Sequence, residues 1–288
     1  MAMLAQYPFQ PRTLHLAGGY KMSYLDEGQG PVVVMVHGNP SWSYLYRHLV
    51  SDLCQEYRCI VPDHLGCGLS DKPRQYPYRL QHHIANLETL LDALCIDQCV
   101  LVVHDWGGAI GMGWAGCHTE RVRGLVVLNT AAFASSSLPL RIALCRWPFI
   151  GEVVVRGCNG FAWPATFMAV HHRMAPEVAA GFLFPYNSWA NRVAVHRFVQ
   201  DIPMSAGHPS WNTLARVEKS LTRLRDKPML ICWGGKDFCF HDGFYEQWRQ
   251  RFPSAQSHYF PYAGHYVLED ALDEISPLVS SFLVSCHD

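Results

Sequence analysis

The sequence predicts one α/β domain in which a mostly parallel sheet is flanked by helices on both faces. Short apolar runs of strand length alternate with helical patterns along the chain, which is typical of parallel sheets. These runs are nearly continuous in Val, Leu and Ile, as strands buried on both faces require. With 288 residues and a formal net charge of −1, the chain is long enough for one such domain with an insertion.

The strands are predicted in the following order. A hairpin over 13–28, with its turn at Gly18–Gly19, begins the sheet. The strands that follow it are expected at 31–38, 57–63, 98–105, 122–130, 227–235 and 257–264. Apolar residues spaced four and three apart from Leu80 to Leu94 predict a helix over about 79–95.

Residues 132–214 interrupt this alternation. The segment contains helical patterns and many aromatic residues but no convincing strand, and it is too long for a loop. We interpret it as a helical cap between two strands, over the carboxyl edge of the sheet, where open α/β sheets bind ligands. The core then comprises residues 1–131 and 215–288.

The composition of the chain narrows the classes of molecule that the protein is expected to bind. A net charge near zero argues against electrostatic capture of nucleic acid or of an anionic membrane, so we expect a small neutral substrate. The first twelve residues have no basic start and no long apolar run, which predicts no secretion signal. No apolar stretch is long enough to span a bilayer.

The cysteines and histidines do not have the spacing typical of a metal site or of a disulfide framework. The eleven cysteines are scattered and none has CxxC spacing, which indicates free thiols in a reducing, cytoplasmic compartment. The doublets His82–His83 and His171–His172 lack partners at metal-ligand spacing, so we interpret both as surface residues. We therefore expect no metal and no cofactor.

Three candidate catalytic residues each follow a predicted strand. Asp105 follows LVVH, Asp237 follows LICWGGK, and His265 follows HYFPYAG. This chain order, nucleophile then acid then histidine, is that of the α/β-hydrolase fold. The acid could also follow the preceding strand, but LNTAAFA (128–134) has no carboxylate, and Asp242 is a weaker candidate than Asp237.

A carboxylate at the nucleophile position indicates attack on a saturated carbon. Asp105 is ionised at neutral pH without help from a base, since an aspartate in water has a pKa of about 3.9, and its attack leaves an ester on the enzyme. His265 would then activate the water that hydrolyses this ester. Trp106 and Asn39, in the turn HGNP, would offer neutral N–H donors to a departing halide.

Five stretches together resemble the haloalkane dehalogenases, and the resemblance covers nearly the whole chain, including the helical insertion. These stretches are HGNPSWSYLYR (37–47), VPDHLGCGLSDKP (61–73), VVHDWGGAIGMGWA (102–115), NRVAVHRFVQDIP (191–203) and AGHYVLEDA (263–271).

The resemblance implies a role for each candidate residue. It implies that Asp105 is the nucleophile, His265 the base and Asp237 the acid. It also implies that Asn39 and Trp106 bind the halide, and that their backbone N–H groups serve as oxyanion donors. With its acid at Asp237, the chain is most similar to the third dehalogenase subfamily, which also includes olefin-forming β-lactone decarboxylases.

Two reactions follow from this resemblance. Our first expectation is hydrolysis of haloalkanes to alcohol and halide through an ester on Asp105. The alternative is decarboxylation of a cis-β-lactone, in which the same carboxylate forms a transient ester and carbon dioxide leaves to give a long-chain olefin. The substrate would be small, neutral and hydrophobic in the first case, and an aromatic cap suits either reaction. The resemblance also implies self-association, which no residue pattern here indicates.

Other members of the superfamily fit less well. Epoxide hydrolases use two tyrosines from the cap, whereas the cap segment here contains only Tyr186, and position 39 holds Asn instead of an aromatic residue. Fluoroacetate dehalogenases need basic residues where Trp106 lies. Asp105 itself excludes a serine esterase, and the complete set of candidate residues argues against a catalytically silent binding protein.

Overall fold

The computed structural model describes residues 4–286. Residues 1–3, at the start of the segment for which no secretion signal is predicted, lie outside the described part. The strands are β1 (Arg12–His15), β2 (Lys21–Glu27), β3 (Val32–Val36), β4 (Arg58–Pro62), β5 (Cys99–Asp105), β6 (Val122–Thr130), β7 (Met229–Gly234) and β8 (Gln256–Phe260). They form one sheet in the order β1-β2-β4-β3-β5-β6-β7-β8.

Twelve α-helices of the described chain surround this sheet. They are α1 (Arg47–Leu53), α2 (Leu80–Ala93), α3 (Trp106–Ala115), α4 (Leu140–Cys145), α5 (Ile150–Glu152), α6 (Ala162–Met168), α7 (Pro176–Leu183), α8 (Val193–Gln200), α9 (Trp211–Ser220), α10 (Asp242–Arg251), α11 (Val267–Asp270) and α12 (Leu272–Ser285).

The strands follow one another along the chain as predicted, and the sheet is mostly parallel. Strands β1 and β2 form the antiparallel hairpin, β2 also pairs antiparallel with β4, and all remaining pairs are parallel. The largest difference is β8, which ends at Phe260 instead of residue 264. Pro261 follows directly, and because proline has no N–H it cannot continue the hydrogen-bond ladder.

Strands buried on both faces divide the core in two. In β3, Val33 and Met35 belong to one buried apolar cluster, whereas Val34 and Val36 belong to the other. Successive side chains of a strand point to opposite faces, so each strand contributes to both clusters. The near-continuous apolar runs of the sequence are explained by this double burial.

The predicted helical insertion lies between β6 and β7. Within the described residues, this part of the chain contains α4 to α9 and no strand. Helix α9 runs through position 214 and packs against α3 and α2. The division into a core and a cap at 131/132 and 214/215 stays a prediction.

The surface prediction is wrong for one histidine doublet. His171 and His172 are exposed, but His83 is buried, with 1% of its surface accessible, and its ring stacks on Phe198 at 4.4 Å. His83 lies three residues after Leu80 on α2, so it shares the inward-facing side of that helix. Among residues 4–286 no group of His, Cys, Asp and Glu is arranged to hold a metal ion.

No helix between residues 4 and 286 is both long and apolar enough to cross a bilayer. Each of the eleven cysteines is a free thiol, as the sequence indicates.

Candidate functional site

Asp105 lies on a sharp turn between β5 and α3. Its backbone has φ 51° and ψ −125°, a conformation that costs free energy in any residue with a Cβ and recurs at functional sites. Glycines allow the chain to pack this closely. A Cβ on Gly38 would meet the Asp105 carboxyl group, and one on Gly107 would meet the carbonyl of Val36. The turn therefore presents the carboxylate at the carboxyl edge of the sheet.

The three predicted catalytic residues come together at this edge. Nδ1 of His265 lies 2.8 Å from Oδ2 of Asp237, and Nε2 lies 3.8 Å from Oδ2 of Asp105. All three side chains are buried. Asp242, the weaker candidate for the acid, instead accepts a hydrogen bond from the hydroxyl of Tyr259 at 2.8 Å.

Asp237 is held from several sides. Its Oδ1 accepts hydrogen bonds from the backbone N–H groups of Cys239 at 2.7 Å and Phe240 at 3.1 Å. Its Oδ2 also accepts one from the side-chain amide of Asn129, at 3.0 Å. Asn129 stands in LNTAAFA, the strand end without a carboxylate, and it accepts a hydrogen bond from Gly234 N–H at 2.7 Å. This residue thus fixes β6, β7 and the acid together.

Burial and charge set the pKa values of the three groups. Burial raises the pKa of Asp105, opposed by His265 and by two backbone N–H groups. Burial acts upward on Asp237 too, but His265 and the hydrogen-bond donors outweigh it, so its pKa is lowered. Burial would lower the pKa of His265, yet the carboxylates of Asp237 and Asp105 outweigh it, so its pKa is raised.

Asn39 and Trp106 lie beside the Asp105 carboxylate as predicted. The backbone N–H of Asn39 donates to Oδ1 of Asp105 at 2.6 Å, and the backbone N–H of Trp106 also stabilises the ionised form. The Asn39 amide donates to the Val195 carbonyl at 3.2 Å, while its Oδ1 is buried without a partner. The indole N–H of Trp106 has no acceptor among residues 4–286. Both side chains therefore keep hydrogen-bonding capacity for a ligand.

Helix α8 positions these two donors. Val195 of α8 accepts the hydrogen bond from Asn39, and Phe198 of α8 packs edge-on against the Trp106 ring at 5.3 Å. At the end of the helix, the buried Asp201 accepts a hydrogen bond from the Leu80 backbone N–H at 2.8 Å, which ties α8 to the start of α2. The motif NRVAVHRFVQDIP therefore has a structural role next to the site.

A cavity of ≈ 530 Å³ adjoins Asp105. Four of the five predicted site residues line it, and Asp237 lies behind His265. Most of the residues that line it are apolar, including side chains from α4, α5, α6, α8 and the loop after β7. Within the described chain, the only lining residues with acidic or basic side chains are Asp105, Arg141 and His265. Such a cavity suits an apolar ligand with one reactive polar group.

Two buried residues of the site are not apparent from the sequence. His104 shares a hydrogen bond with the His265 carbonyl, 2.8 Å away, and burial lowers its pKa to about 3, so the ring is neutral. Asn129 is the other. Both lie inside strand patterns, where nothing distinguishes a polar residue at the site from one in the core. Tyr186, the only tyrosine of the cap segment, is buried and does not line the cavity.

Comparisons with known proteins agree with this geometry. Residues 31–272 match the family model for the alpha/beta hydrolase fold. The chain is 47% identical over 272 residues to a cis-3-alkyl-4-alkyloxetan-2-one decarboxylase of Shewanella oneidensis, covering 92% of this chain and 86% of that protein. It is 33% identical over 289 residues to haloalkane dehalogenase 2 of Mycobacterium bovis, covering 95% and 94%.

The fold also matches that of a solved structure. The crystal structure of a haloalkane dehalogenase from Agrobacterium tumefaciens C58 superposes with a TM-score of 0.84 at 25% identity, covering 96% of this chain and 97% of that one. Sequence, sheet order and the turn at Asp105 thus agree: the chain belongs to the α/β-hydrolase family, among relatives that include haloalkane dehalogenases and an oxetanone decarboxylase.

Proposed function

We propose that this protein decarboxylates cis-β-lactones that carry an alkyl group on each of two ring carbons, releasing an alkene and carbon dioxide. Both reactions expected from the sequence are supported by relatives. The identity of 47% to a decarboxylase, against 33% to a dehalogenase, carries the choice. This difference favours the alternative of the two reactions expected from the sequence.

The first step uses Asp105 as the nucleophile. A carboxylate oxygen attacks the saturated ring carbon that bears the ring oxygen, from the face opposite that oxygen, and the carbon–oxygen bond of the strained ring breaks. The products of this step are an alkyl ester on Asp105 and a free carboxylate on the neighbouring carbon. The N–H donors of Asn39 and Trp106 would stabilise the carboxylate as it forms.

The second step needs neither water nor a proton. The bond between the carboxylate and its carbon breaks, its electron pair forms the carbon–carbon double bond, and the Asp105 carboxylate leaves. Attack from the back face places the ester oxygen opposite the departing carbon dioxide, so both bonds align for elimination. The alkyl groups then stay on one side, and a cis lactone gives a cis alkene.

Haloalkane hydrolysis is the second candidate, favoured by the unpartnered indole N–H of Trp106. A halide displaced by Asp105 would accept hydrogen bonds from this group and from the Asn39 amide. Here the ester has no neighbouring carboxylate, so water must cleave it. His265, whose Nε2 is 3.8 Å from Oδ2 of Asp105, would act as the base for that water. Alcohol and halide would be the products.

A paired substrate test distinguishes the two functions. The wild-type protein is given a cis-3,4-dialkyl oxetanone and 1-bromobutane separately, and alkene and bromide are measured. We expect alkene from the lactone at a kcat/KM well above that for bromide release. Bromide release without alkene would overturn the decarboxylase assignment and favour the dehalogenase.

His265→Gln separates the two mechanisms within one protein. Because water cleaves the ester only in dehalogenation, this variant should stall on 1-bromobutane, and mass spectrometry should find a butyl group on the peptide containing Asp105. With the lactone, the same variant should continue to release alkene, since collapse of that ester uses no base. Equal loss of both reactions would contradict the two-step route proposed for the lactone.

Three further features belong to this proposal. The free thiols fit a reducing, cytoplasmic compartment. The helices between β6 and β7 would act as a cap that closes the cavity over a neutral hydrophobic substrate. Self-association, implied by the resemblance alone, would be checked by light scattering of the purified protein.

A further inference from the structure

Exposed apolar side chains are concentrated in one segment of the chain. Of the fourteen large apolar side chains that are exposed within residues 4–286, nine lie between positions 140 and 167. We call these nine side chains the rim patch. The most exposed are Phe149 at 83% and Leu140 at 75%. Monomeric soluble proteins rarely expose so many neighbouring apolar groups without a binding partner.

The rim patch is continuous with the cavity above Asp105. Leu144, Ile150 and Val154 are exposed members of the patch that also line the cavity. The cavity therefore opens to the surface within the patch. Arg141 of α4 donates to the sulfur of Met168 of α6 at 3.8 Å, which links two helices whose residues line the cavity. An apolar ligand could pass from the patch to the nucleophile along apolar side chains.

The most exposed ring of the patch is held outward by the backbone. Phe149 has φ 61° and ψ −55°, and the Ile150 N–H donates to the Pro148 carbonyl at 2.7 Å. This is a γ-turn of the rare, strained kind. A bulky residue at its tip with 83% exposure gains no packing within the chain, which indicates a contact outside it.

The charges around the patch are mainly positive. Residues 132–214 contain six arginines and only three acidic residues, although the whole chain has a net charge of −1. Glu152 pairs with Arg156. In the described structure no carboxylate lies within 4 Å of Arg141 or Arg146. The near-zero net charge of the whole chain thus hides a local positive region.

We infer that the rim patch docks on an anionic lipid surface and that the alkyl-substituted substrate enters the cavity from the lipid. Apolar side chains inserted among lipid headgroups, with arginines beside them, are the combination that holds proteins on such surfaces. The direction of substrate entry rests on the proposed function. The docking itself does not, so a binding measurement tests it separately.

The test is sedimentation with vesicles of phosphatidylcholine, with and without phosphatidylglycerol. The wild-type chain should bind the vesicles that contain phosphatidylglycerol. The double variant Leu140→Asp/Phe149→Asp should bind about tenfold less, because two apolar contacts become repulsive charges. Val284→Asp is the matched control, since Val284 is 51% exposed on α12, outside the patch, and it should bind as the wild type does.

Charge is tested on its own by Arg141→Gln. This variant should lose about fivefold in binding to the anionic vesicles, the usual contribution of one basic residue near such a surface. No binding by the wild type, equal binding to both kinds of vesicle, or equal loss in Val284→Asp would overturn the inference. A dimer in solution that dissociates in the double variant would also overturn it, because a second copy would then cover the patch.

Discussion

At the scale of single residues, the proposed function depends on how the fold holds one carboxylate. Asp105 is buried in a strained conformation, and only backbone N–H groups and the His265 ring stabilise its charge. Burial raises its pKa, and the same loss of hydration leaves the anion more reactive toward carbon. In the proposed reaction, the neutral donors of Asn39 and Trp106 would stabilise charge on the leaving group without adding a cation.

Trp106→Phe tests the indole N–H directly. Removing one preorganised donor at a developing anion costs about 10²–10³ in kcat, and we expect this loss in alkene release from the lactone. The matched control is Trp114→Phe, the same change two turns later in α3. Trp114 is buried, its N–H is unpartnered, and it does not line the cavity.

Comparison of the two variants shows whether the Trp106 indole takes part in the reaction or only packs against its neighbours. Trp114→Phe should keep wild-type activity, and the thermal midpoint of Trp106→Phe should stay within a few degrees of the wild-type value. If Trp106→Phe retains full activity, its indole only packs against Phe198 and plays no part in leaving-group stabilisation.

The sequence reveals those site residues that follow a recognisable pattern. Asp105, Asp237 and His265 are predictable because each follows an apolar run, where parallel strands end. Asn129 and His104 are not, because each sits within a strand pattern and acts through contacts made only when distant strands meet. The prediction that His83 lies at the surface is wrong. It treats His83 as half of a histidine doublet and does not consider its position on the inward-facing side of α2.

At the scale of elements, the site requires β3 and α3 to approach very closely. The start of α3 passes over the end of β3 at Gly107, where any side chain would collide with the Val36 carbonyl. The backbone at such a contact cannot easily move aside, because the surrounding interior is close-packed and has few voids.

Gly107→Ala should therefore destabilise the fold and displace Asp105. Overpacking of this kind costs about 1–3 kcal/mol in free energy of unfolding, measurable by urea denaturation, and we expect most activity to be lost with it. Gly207→Ala is the control, because a Cβ there meets nothing within 4 Å. Unchanged stability and activity in Gly107→Ala would show that the turn can relax.

The strands of the sheet are predictable to within a few residues because double burial leaves an uninterrupted apolar run. The helices between β6 and β7 are predictable only as a helical segment, without the bounds of each helix. Their order, and the contact of α8 with both Asn39 and Trp106, depends on long-range packing such as the tie between Asp201 and α2. No local pattern encodes that contact.

At the scale of the whole molecule, His265 links the pH dependence of stability to the geometry of the site. Its folded-state pKa is raised, mainly because Asp237 and Asp105 outweigh the effect of burial. A group with a raised folded pKa contributes stability that is full below its unfolded pKa of about 6.5 and is lost as pH rises through the folded value.

The wild-type protein should therefore lose more stability than His265→Gln as the pH rises from about 6 into the alkaline range. Urea unfolding of both proteins across this range measures the difference, and groups common to both cancel. Parallel curves would mean that the pKa of His265 is the same in the folded and unfolded chains, which would contradict its pairing with Asp237.

The proposed ester on Asp105 is tested most directly by comparing the wild type with Asp105→Asn on a cis-3,4-dialkyl oxetanone. Asparagine matches aspartate in shape and tolerates positive φ, so the fold should persist while the nucleophile is lost. We predict cis alkene from the wild type and a loss of at least about 10³ in kcat for the variant. Alkene released by Asp105→Asn at a rate near that of the wild type would contradict an ester on Asp105.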